Sequence, residues 1–152
     1  INGLRIIKGL TYQAADEVQP DDKHIQEINK AIQGCYDGMN DDLNTAVTIA
    51  NLFTLLKKIN QLYMNQLQPA QLGAETFALL QTAFVQFTES ILGLQEERNE
   101  NHEGLLTGLL SLYKEYKANQ QYDKVDEIRS YFKSNGLVIK DMKHRIDWAY
   151  EE

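Results

Sequence analysis

Asp41, Asp42, Asn44 and Thr45 place two carboxylates, an amide and a hydroxyl within a few residues of one another, and such a group has two chemical uses. Its oxygens can accept from the free backbone amides at the start of a helix, where carboxylates also favour the positive end of the helix dipole. They could instead hold a cation, but adjacent carboxylates alone lack the alternating ligand spacing of a calcium loop. Capping of the following helix is therefore the plainer role. His24, His102 and His144 stand among polar neighbours with no i, i+4 pair and no cysteine partner, which argues against zinc ligation or histidine-based catalysis. The sequence contains no Gly-x-x-x-x-Gly-Lys loop, no serine nucleophile elbow and no placeable pair of catalytic carboxylates. Asp126 and Arg129, three residues apart, have a plain structural use as a helical ion pair. In the same spirit Asp141 would end a strand and Trp148 fill a small core.

The elements that must position these groups are mostly helical, with apolar residues recurring three and four apart. Leu4, Ile7 and Leu10 mark a first helix, and Tyr12 to Asp22, with Pro20, reads as a polar loop. Ile25, Ile28, Ile32 and Cys35 line a second helix, closed near Gly38 and Asn40. Leu52, Leu55, Leu56, Ile59, Leu62 and Tyr63 form the strongest stripe. Phe77, Leu80, Phe84, Phe87 and Ile91 make a fourth, entered after turn material around Pro69 and Gly73 and left at Gly93. Such helices joined by short loops bury their stripes as an antiparallel bundle, with Leu4, Leu52, Leu56, Phe84 and Phe87 expected in its core. The charged run 96–103 is the best boundary. Beyond it Leu106, Leu109, Tyr113 and Tyr116 stripe a fifth helix, and Val125, Ile128 and Phe132 a sixth that Asn135 and Gly136 should stop as a left-handed cap. Leu137, Val138 and Ile139 are β-prone, with Ile146 to Tyr150 as a partner strand. The expected fold is mainly α: a helical bundle over residues 1–98, then a small α+β unit of two helices and a short β-hairpin over 103–152.

A hydrophobic fraction of 43% and an ordinary charged fraction of 24% are those of a chain able to fold and bury a core. The single cysteine, Cys35, excludes an intramolecular disulfide and fits a reducing compartment, so cytoplasm is the expected location. No apolar run approaches the roughly 20 residues that span a bilayer, and the mixed start INGLRIIKGL lacks a signal-peptide layout. Because that start already carries a helical pattern and opens on Ile1, the expectation is a piece of a longer protein. The net charge of −7 argues against a general nucleic-acid binder. The acidity is uneven, however: residues 1–102 carry a balance of −6 and residues 103–152 a balance of −1. Any RNA contact is thus expected in the second part, around Lys114, Lys117, Lys124, Arg129, Lys140, Lys143 and Arg145.

Two segments carry a resemblance: MNDDLNTAVTIANLFTLLKKINQLY at 39–63 and YDKVDEIRSYFKSNGLVIKD at 122–141, followed by Trp148. The first is similar to the Met-Asp-Asp-Asp-Phe-Asn-Thr-Pro entry into a long helix in the carboxy-terminal part of cysteinyl-tRNA synthetases, with Ala46 at the usual proline. The second resembles the Ala-Asp-x-Ile-Arg helix of that family running into Gly-Ile-x-Leu-Glu-Asp. The resemblance covers nearly the whole chain and is weakest over 64–102. It implies a DALR-type bundle followed by an anticodon-binding tail.

On that resemblance, Asp126, Arg129, Asp141 and Trp148 coincide with positions that read the anticodon or shape the surface that does so. Tyr122 takes the place of a stacking Trp, and Lys117 that of an Arg. Two basic positions become Tyr113 and Gln120, and a Gly-Thr pair becomes Arg145-Ile146, so this surface is less basic than usual. The implied partners are tRNA-Cys and an amino-terminal catalytic domain, in a monomer. The implied parent is an ATP-dependent cysteine–tRNA ligase that also uses zinc. This chain has no His-Ile-Gly-His or Lys-Met-Ser-Lys-Ser type motif, so no catalytic residue, metal or cofactor is expected in it. Two alternatives come from other classes. One is a stand-alone helical protein-interaction module without RNA binding, which would expose a large apolar patch. The other is the related ligase joining cysteine to an amino sugar, which has no use for an anticodon-type tail.

Overall fold

The computed structural model describes residues 2–15, 18–94, 100–143 and 145–151, so His144 lies outside the described residues. The chain divides into two compact units, Ile1–Glu96 and Glu97–Glu152.

The first unit contains α1 (Asn2–Gly9), α2 (Asp22–Asn40), α3 (Thr45–Tyr63) and α4 (Pro69–Val85). The last runs on into a π-helical turn, Gln86–Ile91. In that wider turn the Leu92 amide donates to the Phe87 carbonyl at 2.9 Å, and Phe87 is fully buried. The stripes meet in one core that includes Leu4, Ile7, Ile28, Leu55, Ile59 and Leu80. Of the expected core residues, Leu4, Leu52, Phe84 and Phe87 are buried, while Leu56 is only partly so and packs against the cluster's edge. Gln81 of α4 ties α1 down, its amide donating to the carbonyls of Ile7 at 3.0 Å and Leu10 at 2.9 Å. These carbonyls lie at a helix end, where partners within the helix run short.

Capping is more divided than the residue types suggested. Asn44 is the N-cap of α3 and accepts from the Val47 amide at 3.2 Å. Asp41 instead closes α2, its amide donating to the Asp37 carbonyl. Asp42 and Leu43 take left-handed backbone angles, φ 48 and 57, in the turn between the helices. The chain must reverse direction within four residues, and there Asp41 Oδ2 accepts from the side-chain amide of the cap residue Asn44 at 3.4 Å. The expected turn at Pro69 proves to be the helix start, with proline in the first turn. Gly73 then interrupts the helix at φ 72, an angle that glycine adopts without penalty.

In the second unit α5 (Glu100–Ala118) and α6 (Tyr122–Ser134) are followed by β1 (Leu137–Asp141) and β2 (Ile146–Tyr150). The strands pair antiparallel, with Leu137 opposite Tyr150, Ile139 opposite Trp148 and Asp141 opposite Ile146. Gly136, at φ 69, provides the left-handed exit from α6. The core of this unit joins Leu110 and Tyr113 of α5, Val125, Ile128 and Phe132 of α6, and Leu137 and Trp148 of the hairpin.

α2 and α3 pack closely where Gly38 faces Thr48. A Cβ at residue 38 would lie 2.7 Å from the Thr48 hydroxyl oxygen, 3.0 Å from the Thr48 amide and 3.1 Å from the Asn44 carbonyl. Two of these are backbone atoms, which cannot rotate away. Gly38→Ala is therefore expected to destabilise the first unit by about 1–2 kcal/mol, overpacking outweighing the better helix propensity of alanine. Denaturant unfolding followed by far-UV circular dichroism checks this, and an unchanged midpoint would contradict it.

Candidate nucleic-acid interface

The second unit gathers its charged groups around one tyrosine. Tyr113 and Lys117 lie one turn apart on α5, Asp126 and Arg129 share a face of α6, and Asp141 ends β1. The Tyr113 ring is completely buried, yet its hydroxyl reaches the margin of the core. Arg129 Nη2 donates to that hydroxyl at 2.8 Å, and the hydroxyl in turn lies 3.1 Å from Asp141 Oδ2. A guanidinium can only donate, so the phenolic proton is directed at Asp141. Lys117 Nζ donates to the same Oδ2 at 2.5 Å. Arg129 Nη1 also donates to Asp126 Oδ1 at 3.2 Å.

Four of the residues singled out from the sequence, Lys117, Asp126, Arg129 and Asp141, thus belong to one network. Tyr113, read from the sequence as part of the α5 stripe and as a lost basic position but not as a site residue, connects them. Its signal was available in the apolar stripe of α5, because a buried tyrosine brings a polar tip that needs partners. Tyr122 stands apart from the network. It is 61% exposed and precedes Asp126 by one helical turn, on the same face of α6. Trp148 is 8% exposed and sits beneath the hairpin, edge-on to Tyr150. Its indole is a floor rather than an open platform. Lys124 lies 4.8 Å over the Tyr116 ring, a cation–π contact.

The charges shift one another in the expected directions. The hydrogen bond from Lys117 holds the Asp141 carboxyl below its ordinary 3.8, opposed by partial burial and helped by the Tyr113 hydroxyl. The same bond raises Lys117 above 10.5. Burial, reinforced by the bond to Asp141, raises the Tyr113 phenol above 10.0. Asp141 Oδ2 is saturated by two donors, whereas Oδ1 accepts from none among the described residues. Asp126 likewise offers Oδ2, on a side chain 71% exposed. Carboxylate oxygens of this kind accept from the amino and imino groups of unpaired bases.

A second charged group was missed from the sequence. Lys58 of α3 is 4% exposed, forms an ion pair with Glu27 of α2 and lies 2.8 Å from His24 Nδ1. Its position between Leu55 and Leu62, on the apolar stripe, was the available sign. The Lys58 bond lowers the Glu27 pKa, and the plain role of this group is to pin α2 to α3. Burial pushes the Cys35 thiol up to about 11, which keeps it protonated and unreactive at neutral pH. Among the described residues no three His, Cys, Asp or Glu side chains converge as metal ligands. No described helix is long and apolar enough to cross a membrane.

The pair Lys117 and Asp141 should leave a signature in pH. A depressed carboxyl contributes its stability in full above its unfolded value near 3.8 and loses it as pH falls through the lower folded value. A raised lysine contributes in full below 10.5 and loses that as pH rises through the higher folded value. Stability from the pair is therefore flat between these limits and falls off at both ends. Asp141→Asn is expected to blunt both edges. The single tryptophan, Trp148, is buried in this unit, so thermal melts read by its fluorescence across pH check the expectation, and unaltered edges in the variant would contradict it.

The chain is similar to known proteins along its whole length. Residues 35–96 match the DALR domain. Over its full length the chain is 54% identical to the cysteine–tRNA ligase of Cytophaga hutchinsonii, of which it covers 30%. It is 32% identical to that of Porphyromonas gingivalis over 80% of the chain and 26% of the relative. Against that of Thermus thermophilus the identity is 27%, over 99% of the chain and 31% of the relative. The chain spans about 30% of the length of these curated relatives. The chain, a helical unit with the DALR match followed by a helix-and-hairpin unit, aligns as a whole with the carboxy-terminal region of cysteine–tRNA ligases.

Proposed function

We propose that this chain binds the anticodon stem-loop of tRNA-Cys and sets the orientation of the tRNA on a cysteine–tRNA ligase. The observation that carries this is the network around Tyr113, which presents two carboxylates with unused oxygens beside Lys117 and Arg129, on a unit whose α6 also exposes Tyr122. Each part has a use in holding a splayed single-stranded loop. Aromatic faces stack on bases, carboxylates accept from base edges, and Lys and Arg hold phosphates. The G-C-A anticodon of tRNA-Cys offers amino and imino donors that suit Asp126 and Asp141. Trp148 contributes by supporting the hairpin from which Asp141 projects.

In the parent enzyme, an amino-terminal catalytic domain would activate cysteine with ATP and transfer it to the tRNA, with zinc as part of that domain's equipment. Residues 35–96 would serve as a rigid helical spacer, and the protein would act as a cytoplasmic monomer. A second reading, a helical interaction module without RNA binding, draws support from an apolar groove of about 310 Å³ between α5 and α6, where Leu105 and Tyr131 are 66% and 57% exposed.

Fluorescence anisotropy separates the two. The chain is titrated into a labelled G-C-A anticodon stem-loop and into a scrambled-anticodon control at low salt. Preference for G-C-A is the expected outcome, and equal or absent binding would favour the module. Asp126→Ala is expected to reduce the discrimination by about 1–3 kcal/mol, the worth of one specific base contact. Undiminished discrimination would remove Asp126 from the contact set.

A further inference from the structure

We propose that Tyr113 is the positioning residue of this site: its hydroxyl, held by Arg129 and donating to Asp141 Oδ2, fixes the carboxylate so that Oδ1 is the atom offered to a base N–H donor. The inference rests on the anticodon-binding assignment and adds to it a residue that touches no RNA itself.

Three observations support it. First, the Tyr113 ring is completely buried between α5, α6 and the hairpin, so its hydroxyl has a fixed location, while Lys117 and Arg129 reach the site on long side chains that are 44% and 52% exposed and less enclosed by packing. A rigid donor orients a partner better than a flexible one, since less conformational freedom is lost in each contact. Second, the direction of the proton is determined. Arg129 supplies only donors, so the phenol must spend its one proton on Asp141. A chain of hydrogen bonds from a cation through a neutral hydroxyl to an anion polarises in one sense and strengthens along its length. Third, both donors to Asp141 converge on one oxygen. A lysine alone could swing between the two carboxylate oxygens. Adding the immobile hydroxyl selects Oδ2 and leaves Oδ1 as the acceptor, the preorganisation expected of a recognition site whose supporting groups do not contact the ligand.

Removing the hydroxyl would leave the ring in place, release the carboxylate to rotate and deprive Arg129 of an acceptor. The test is Tyr113→Phe in the same 152-residue chain, titrated against the G-C-A and scrambled stem-loops, with Trp148 fluorescence melts to confirm that the second unit still folds. The expected result is a roughly tenfold loss in the ratio of the two affinities, the scale of one charge-assisted hydrogen bond, with binding of the scrambled loop little changed. In an Asp141→Asn background the same substitution should cost little further selectivity, because the residue acts through that carboxylate. A role in stability alone would weaken both loops equally and would add to Asp141→Asn.

If the unaltered chain prefers G-C-A and Tyr113→Phe keeps the full ratio, the positioning role is overturned and the anticodon assignment stands. If the unaltered chain shows no preference, the assignment itself fails and this inference with it. Should Tyr113→Phe not fold, fluorotyrosine placed at position 113 decides the matter by fluorine NMR: a resonance that moves with the G-C-A loop and not with the scrambled loop supports the role, and one that moves with neither overturns it.

Discussion

A buried phenol that must keep its hydrogen bonds is the constraint on which the second unit turns. The Tyr113 ring occupies the centre of a small core with Phe132, Leu137 and Trp148, where apolar burial holds it. Its hydroxyl has to be satisfied, since an unpaired polar group at the margin of a core costs about 1–3 kcal/mol. The partners come from two other elements, Arg129 on α6 and Asp141 at the end of β1. Satisfying one group thus sets the relative placement of helix, helix and hairpin, and the same requirement assembles the charged surface. Packing and the charged surface share one set of atoms here.

The first unit solves a different problem with similar means. Its helices carry apolar stripes, and the close approach of α2 and α3 at Gly38 and Thr48 is possible because one partner has no side chain. The Thr48 hydroxyl is fully buried and lies 3.2 Å from the Asn44 carbonyl and 3.4 Å from the Cys35 carbonyl. Lys58 adds an ion pair with Glu27 at a position that is otherwise enclosed. A buried lysine is costly unless paired, and this one has Glu27 and His24 within reach. Such contacts specify how α2 and α3 register, more than they add net stability.

Much of this was legible beforehand because it depends on local rules. Stripes three and four apart identified every long helix, the Asn135-Gly136 exit marked the end of α6, and the run Leu137 to Ile139 marked a strand that the hairpin register bears out. The capping cluster was legible as to type but not as to allocation. Asp41, Asp42 and Asn44 are all able to cap, and only the geometry of the turn, with Asp42 and Leu43 left-handed, assigned the α3 cap to Asn44. Leu56 was expected inside and lies at the core's edge, since a stripe has a width and the sequence does not say how far a neighbouring helix covers it.

For the site, the sequence alone determined which residue types were present and that they belonged to a nearly neutral second half, because composition and spacing are properties of the chain. The pairing of Asp126 with Arg129 could also be read, since it lies within one helical turn. What only the tertiary structure decided is that Tyr113 and Asp141, 28 residues apart, share a hydrogen bond, that Lys117 closes on the same oxygen, and that Trp148 is enclosed while Tyr122 is open. The physical reason is distance along the chain. Local periodicity says which way a side chain faces on its own element, but a hydrogen bond between elements depends on a fraction of an ångström, and that is fixed only when the whole core has closed around it.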